Sequence, residues 1–177
     1  AVGAFAGDAI TTGADNVAIG DRALTSTTTA SNNIAIGAHA LDDNSTGASN
    51  TAVGTRALDA NTTGDSNVAI GNSAGSSITT GGNNIAIGQS ALDALTTTSN
   101  MVAIGTSALT RAVTNDTCTA VGSYALEYAT ASSNTACGGW ALQNATTGYS
   151  LTAVGRNALN EVTTGSNNTA IGNYSGS

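Results

Sequence analysis

The chain has no proline and no lysine, and only one Trp, one Phe, one His and one Met. Aromatic residues make up 3% of its 177 positions, which excludes a wide core built on large rings. Charged residues reach only 8%, against about a quarter in an ordinary globular domain. Four Arg face eleven acidic residues, a net charge of −7, and this argues against nucleic acid as a partner, because phosphate binding needs clustered cations. No apolar run reaches the roughly 18 residues that a membrane-spanning helix needs, so no membrane insertion by this segment is expected. No signal peptide is visible, and the chain opens and closes inside its own repeat; we expect a segment of a longer fibre, residues 1–177 forming one repeat domain.

What is present is small and apolar. Hydrophobic residues are 40% of the chain, mostly Ala, Ile, Val and Leu, together with 22 Gly. They recur with a fixed period. Each Ala-Ile/Val-Gly triplet ends on one of Gly3, Gly20, Gly37, Gly54, Gly71, Gly88, Gly105, Gly122, Gly138, Gly155 and Gly172, spaced 17 residues apart except for one interval of 16 between Gly122 and Gly138. A short fixed period along a whole chain is the signature of a solenoid, in which no unit buries its apolar face alone and stacking buries a continuous one.

The position before Gly is Ile or Val in all units but one, where Cys137 stands; the position two earlier is β-branched, and Ala lies between. β-branched residues at alternate positions predict a strand, with Ile/Val on one face and Ala on the other. The larger residues are expected to enter the core of the coil, Ile70, Ile87 and Ile104 stacking in one column that Cys137 continues. The Ala column (Ala52, Ala69, Ala86) then requires a cover from outside. A second strand is expected at the Ala-Leu pair three and four residues after Gly. Thr stands eight before Gly from Thr12 to Thr164, followed by Gly in six units and Asn115 in a seventh, which reads as a turn. Asn stands four before Gly in seven of ten units, among them Asn16, Asn33, Asn50, Asn67 and Asn84. Stacked Asn and Thr are expected to form hydrogen-bonded ladders. The fold class is thus all-β: a parallel β-solenoid of about eleven 17-residue coils, a rod of roughly 50 Å at about 4.8 Å per coil.

The stretches "NNIAIGAHAL", "NTAVGTRAL" and "NVAIGNSAG" resemble the repeats of the head domains of trimeric autotransporter adhesins, the YadA-like heads. The longer unit with its inserted "NTTG" also resembles repeats of phage tail fibres and related surface proteins. The resemblance covers essentially the whole chain. It implies a left-handed parallel β-roll, three chains forming one shaft, and an extracellular or virion-surface location. The 17-residue unit is longer than is usual in that family, so its turn departs from the pattern.

Familiar catalytic constellations are missing. Cys118 and Cys137 fall at different positions around the coil, which argues against a disulfide between them; Cys137 is expected as a small buried hydrophobe. His39 is about five coils from Cys118, too far for a Cys–His pair. Asp42, Asp59 and Asp93 share the column five after Gly and read better as solvated surface carboxylates than as a calcium site. Paired carboxylates for glycoside hydrolysis could come only from Asp42, Asp43 and Asp59. No enzyme activity and no cofactor are expected. Asn44, Asn61 and Asn144 match the glycosylation sequon, which Thr-rich repeats meet by chance.

One column is different. Two residues after Gly stand Phe5, Arg22, His39, Arg56, Ser73, Ser90, Ser107, Tyr124, Trp140, Asn157 and Tyr174, a position that varies while its neighbours hardly change. It collects four of the six aromatics, two of the four Arg and the only His. Aromatics and Arg exposed on a rigid scaffold are the usual anchors of recognition. The column is therefore read as a ligand-binding stripe (Tyr124, Trp140, Tyr174, Arg22, His39 and Arg56), with packing on a neighbouring protomer or a merely permissive surface as competing readings. The function expected is a structural and adhesive fibre segment that self-associates as a trimer or end-to-end filament and attaches to a host surface protein or glycan. Ice binding by the Thr ranks is the alternative.

Overall fold

A computed structural model describes residues 1–111 and 117–176; Asn115, expected in a turn, lies outside them. Ten three-residue strands follow one another: β1 (Val17–Ile19), β2 (Ile34–Ile36), β3 (Thr51–Val53), β4 (Val68–Ile70), β5 (Ile85–Ile87), β6 (Val102–Ile104), β7 (Thr119–Val121), β8 (Thr135–Cys137), β9 (Thr152–Val154) and β10 (Thr169–Ile171). They form one parallel sheet in sequence order. The result is an all-β solenoid of about nine turns, without helix among the described residues. Register is strict, Ala18 opposite Ala35 and Ala69 opposite Ala86, and the bridge Val2–Ile19 adds the first unit to the stack. The 16-residue interval is absorbed without a slip, Thr119 pairing with Thr135 and Val121 with Cys137.

The strands run as predicted, but their faces are the reverse of the expectation. The Ala column points inward: Ala35, Ala52, Ala69 and Ala103 are fully buried. The Ile and Val residues point outward, with Val17 at 41%, Ile36 at 37% and Ile70 at 40% exposure. Cys137 goes outward with them, while Cys118, in the Asn column, is buried. The reason is volume. The coil is thin, and its opposite wall already supplies a second Ala and a Leu per turn: Ala40 and Leu41, Ala57 and Leu58, Ala108 and Leu109 are all fully buried. Only a methyl fits between the walls at interior packing density. The Ala column is therefore covered by its own chain, and the face left uncovered is the Ile/Val one.

The second strand is absent. The segment after Gly is a run of turns with alternating backbone handedness. The Leu column lies in the left-handed region, φ between 49° and 55° from Leu24 to Leu159, and Gly7, Gly75 and Gly176 replace Leu there with φ of 58° to 66°. A left-handed Leu costs about 1–2 kcal/mol. Burying its side chain returns about 1.5–3 kcal/mol, and its N–H is not wasted. Leu24 N–H donates to Ala40 O of the following coil at 3.0 Å, whereas Arg22 N–H, two residues before, donates to Ala4 O of the preceding coil at 2.8 Å. The two left-handed residues thus aim their amides in opposite directions along the stack, and Ala23 N–H between them donates within its own coil to Gly20 O at 3.4 Å. The Gly that ends each strand has φ between 128° and 144°, and at Gly88 a Cβ would sit 2.6 Å from the carbonyl carbon of Gly105. No other residue fits that column.

The Asn ladder forms as expected. Asn50 N–H donates to Asn33 Oδ1 at 2.9 Å, Asn67 N–H to Asn50 Oδ1 at 2.9 Å, and Asn84 N–H to Asn67 Oδ1 at 3.0 Å. Each Nδ2 spans the turn to a carbonyl of the next coil, Asn50 to Gly64 O and Asn67 to Gly81 O, both at 2.8 Å. Met101, Cys118 and Leu151 replace Asn in this column and are fully buried. The Thr ladder runs one position earlier than expected: Thr62 Oγ1 donates to Thr79 O at 3.0 Å and Thr79 Oγ1 to Thr96 O at 2.9 Å, while Thr46, Thr63, Thr80 and Thr97 of the predicted column are exposed. Asn44 and Asn61 belong to a further buried ladder, Asn61 Nδ2 donating to Asn44 Oδ1 at 2.9 Å, so those two sequons are closed to glycosylation in the folded chain.

Candidate functional site

The variable column two after Gly lies along one edge of the rod. All eleven of its residues are left-handed, φ between 54° and 60°. Their amides are tied to the preceding coil, Tyr124 N–H to Thr106 O, Trp140 N–H to Ser123 O and Tyr174 N–H to Arg156 O, each at 2.9 Å. Their side chains are therefore held one coil apart on a fixed backbone. The structure divides the stripe into two parts of different chemistry.

Towards the C-terminal end it is aromatic and cationic. Tyr124 and Trp140 stack with ring centroids 5.9 Å apart and planes 11° from parallel. The Arg156 guanidinium, one residue before the column, continues the stack: its Cζ lies 5.1 Å from the Trp140 ring centre and 5.7 Å from that of Tyr174. Arg156 Nη1 also donates to the Tyr174 hydroxyl at 3.1 Å. Tyr174 thus joins the aromatic pair through Arg156 and not directly. Tyr124, Trp140 and Arg156 are neighbours because the repeat sets them on successive coils, but the Tyr124 and Trp140 ring faces are turned to one another. What remains for a ligand is ring edges and an open recess lined by Asn157, Asn160, Glu161 and Tyr174.

Towards the N-terminal end the stripe is ionic. Arg22, His39 and Arg56 do not stand out alone; they converge on the Asp column. Arg22 Nε lies 3.2 Å and His39 Nδ1 2.8 Å from the same oxygen, Asp42 Oδ2. Arg56 Nε is 4.0 Å from Asp59 Oδ2. Asp42, expected to be solvated, is instead 6% exposed, and its Oδ1 is buried without a hydrogen-bond partner. Asp42 is covered from two coils: the His39 imidazole three residues before it and the Arg22 guanidinium of the preceding coil both lie against its carboxylate. Burial first, then the neighbouring carboxylates of Asp42 and Asp43, raise the Asp59 pKa from its ordinary value, with His39 and Arg56 opposing. One donor atom each from His39, Asp42 and Asp59 lies within 4.8 Å of the others. Asp93, in the same column, accepts a hydrogen bond from Ser76 and takes no part. The buried role of Asp42 was missed from the sequence, which shows only that His39 and Asp42 are three residues apart and that Asp59 follows Asp42 by one period.

The second surface with functional character is the sheet's outer face. Its two ranks run the length of the rod, one of Ile and Val interrupted by Cys137, the other Val17, Ile34, Thr51, Val68, Ile85 and Val102, then Thr119, Thr135, Thr152 and Thr169. No described helix is long and apolar enough to cross a membrane. Compared with protein-family models, curated proteins and solved structures, the chain matches none.

Proposed function

We propose that this chain is a segment of an extracellular fibre that associates laterally with copies of itself and presents its variable stripe for attachment. The observation that carries the reading is the uncovered Ile/Val face: one rank of Ile and Val along ten in-register strands, broken only by Cys137, and beside it a second rank that is apolar at Val17, Ile34, Val68, Ile85 and Val102 and Thr on the other strands, on the order of a few hundred Å², the size at which apolar patches mark interaction sites. Its occupant is specified by its period. Side chains repeating at about 4.8 Å along the rod are matched rank for rank only by a surface of the same spacing, which another copy of the chain has. A trimer about the Ile/Val faces, with end-to-end stacking of coils, is the arrangement we favour. The stripe lies off this face, free to meet a host protein or glycan through Arg, Asn and ring edges. Many such contacts along one shaft add through avidity.

Light scattering on the purified chain tests the association. A trimer or larger assembly is expected at micromolar concentration. Ile36→Lys with Ile104→Lys, both at exposed positions, should give monomers with an unchanged β-sheet spectrum, because charge on the face opposes association without touching the interior. A wild-type chain that stays monomeric would overturn the reading.

Ice binding is a second reading, favoured by Thr119, Thr135, Thr152 and Thr169 standing on four consecutive strands of the sheet. A thermal-hysteresis measurement decides it: no depression of ice growth removes it.

A further inference from the structure

We propose that His39, Asp42 and Asp59 form a binding site for one divalent transition ion of the zinc class, bridging two coils of the solenoid. The three side chains come from two consecutive turns, and one donor atom from each lies within 4.8 Å of the rest. Donors around a tetrahedral zinc sit about 3.3 Å apart, given bonds of about 2.0–2.1 Å. Small side-chain rotations close that gap. The backbone need not move, since each of the two coils is pinned by its own inter-coil hydrogen bonds, His39 N–H to Asp21 O and Arg56 N–H to Ala38 O, both at 2.9 Å.

Independent of the clustering, Asp42 is a buried carboxylate with one oxygen unsatisfied. Oδ2 receives both His39 and Arg22, but Oδ1 has no partner at all. A buried unpaired carboxylate oxygen is costly and calls for a cation or a donor. Charge points the same way. Asp42, Asp43 and Asp59 outnumber the guanidiniums of Arg22 and Arg56, so with a neutral imidazole the patch is net negative. Arg22 does not block the ion: a ligating carboxylate whose second oxygen is held by an outer hydrogen bond is the usual arrangement around bound metals.

The donor set chooses the ion. One imidazole with two carboxylates suits zinc and its neighbours, whereas calcium and magnesium seek six or more oxygens. On binding, His39 ligates as the neutral imidazole, and any proton on the ligating nitrogen leaves to solvent. His39 and Asp59 are only partly buried, so water completes the coordination. The ion would act as a clasp between the coil carrying Asp42 and the next.

Calorimetric titration of the untagged, chelator-stripped chain with zinc chloride tests the site, with calcium and magnesium chloride as comparators. One zinc per chain is expected, with calcium and magnesium at least about tenfold weaker. His39→Ala and Asp59→Asn should each weaken zinc by at least about tenfold, and Glu161→Gln should leave it unchanged. Because the chain has a single histidine, its imidazole nitrogen resonances report the site directly in the wild-type protein and must shift with zinc. The proposal is overturned if zinc gives no binding heat, if its affinity survives both substitutions, if calcium or magnesium binds as tightly, or if zinc binds while the His39 nitrogens stay in place.

Discussion

A residue's size, more than its polarity, decides its place in this coil. Ala86 is 1% exposed between the sheet and the opposite wall, whereas Ile70 on the neighbouring strand is 40% exposed. Replacing Ala86 by Leu adds three carbons where no space exists and should cost about 1–3 kcal/mol or more. Ile70→Thr should stay within about 0.5 kcal/mol, as surface changes usually do. Urea unfolding in the monomeric Ile36→Lys, Ile104→Lys background separates the two, because assembly then contributes nothing. Equal losses at both positions would contradict the inward placement of Ala. The same rule explains the paucity of aromatics. A ring has no room inside, so Trp140, Tyr124 and Tyr174 are found on the edge, where they stack along the rod.

At the scale of the element, the repeating unit is one strand, one Gly and a set of left-handed corners joined by ladders. Removing one rung should be felt by both neighbours. Asn50→Ala would leave the Asn67 amide without its partner and the Gly64 carbonyl with Asn61 Nδ2 alone, and a buried unsatisfied group costs about 1–3 kcal/mol. We expect a loss of about 1–3 kcal/mol by chemical denaturation, with hydrogen exchange accelerating first at Asn67. Leu at the same position should cost less than Ala, since Met101, Cys118 and Leu151 show that the column accepts an apolar filler.

Much of this unit was legible from the repeat. Gly at a fixed spacing with a β-branched residue on either side of Ala predicted the strands, their parallel order and the Asn ladder. Two features were not. Alternation assigns residues to two faces but gives no sign, and the sign depended on a wall built from residues further along the coil. The Leu column looked like a second strand because nothing in Ala-Leu announces a left-handed backbone; Asn or Gly would have done so, and Gly stands there only in three coils. The candidate site was legible in part. The variable column was found by its diversity, and Tyr124 beside Trp140 followed from the period. The convergence of Arg22 and His39 on Asp42 depended on the local curl of the turn, which the sequence does not display.

For the whole molecule, the question is what the aromatic end of the stripe contributes. Stacked pairs are worth about 0.5–1.5 kcal/mol beyond their burial. Replacing Tyr124 and Trp140 together by Ser removes that and the cation contact of Arg156 with Trp140, yet leaves the ladders and interior intact. The expected outcome is a melting temperature lowered by a few degrees at most, assembly retained, and weaker attachment to host cells or immobilised glycans. A double variant that disassembles, or melts far lower with attachment per intact fibre unchanged, would assign these rings to holding the shaft together instead.

The strict pairing of each strand with only the one before and the one after, kept even across the 16-residue interval, means that length is an independent variable in this molecule. Duplicating the stretch of DNA that encodes one coil would add one strand and lengthen the rod by about 4.8 Å; deleting it would shorten the rod by the same step, and the cross-section would not notice either event. Reach from a surface can then be adjusted by unequal recombination between near-identical repeats, in uniform increments, while the chemistry of every remaining coil stays as it was.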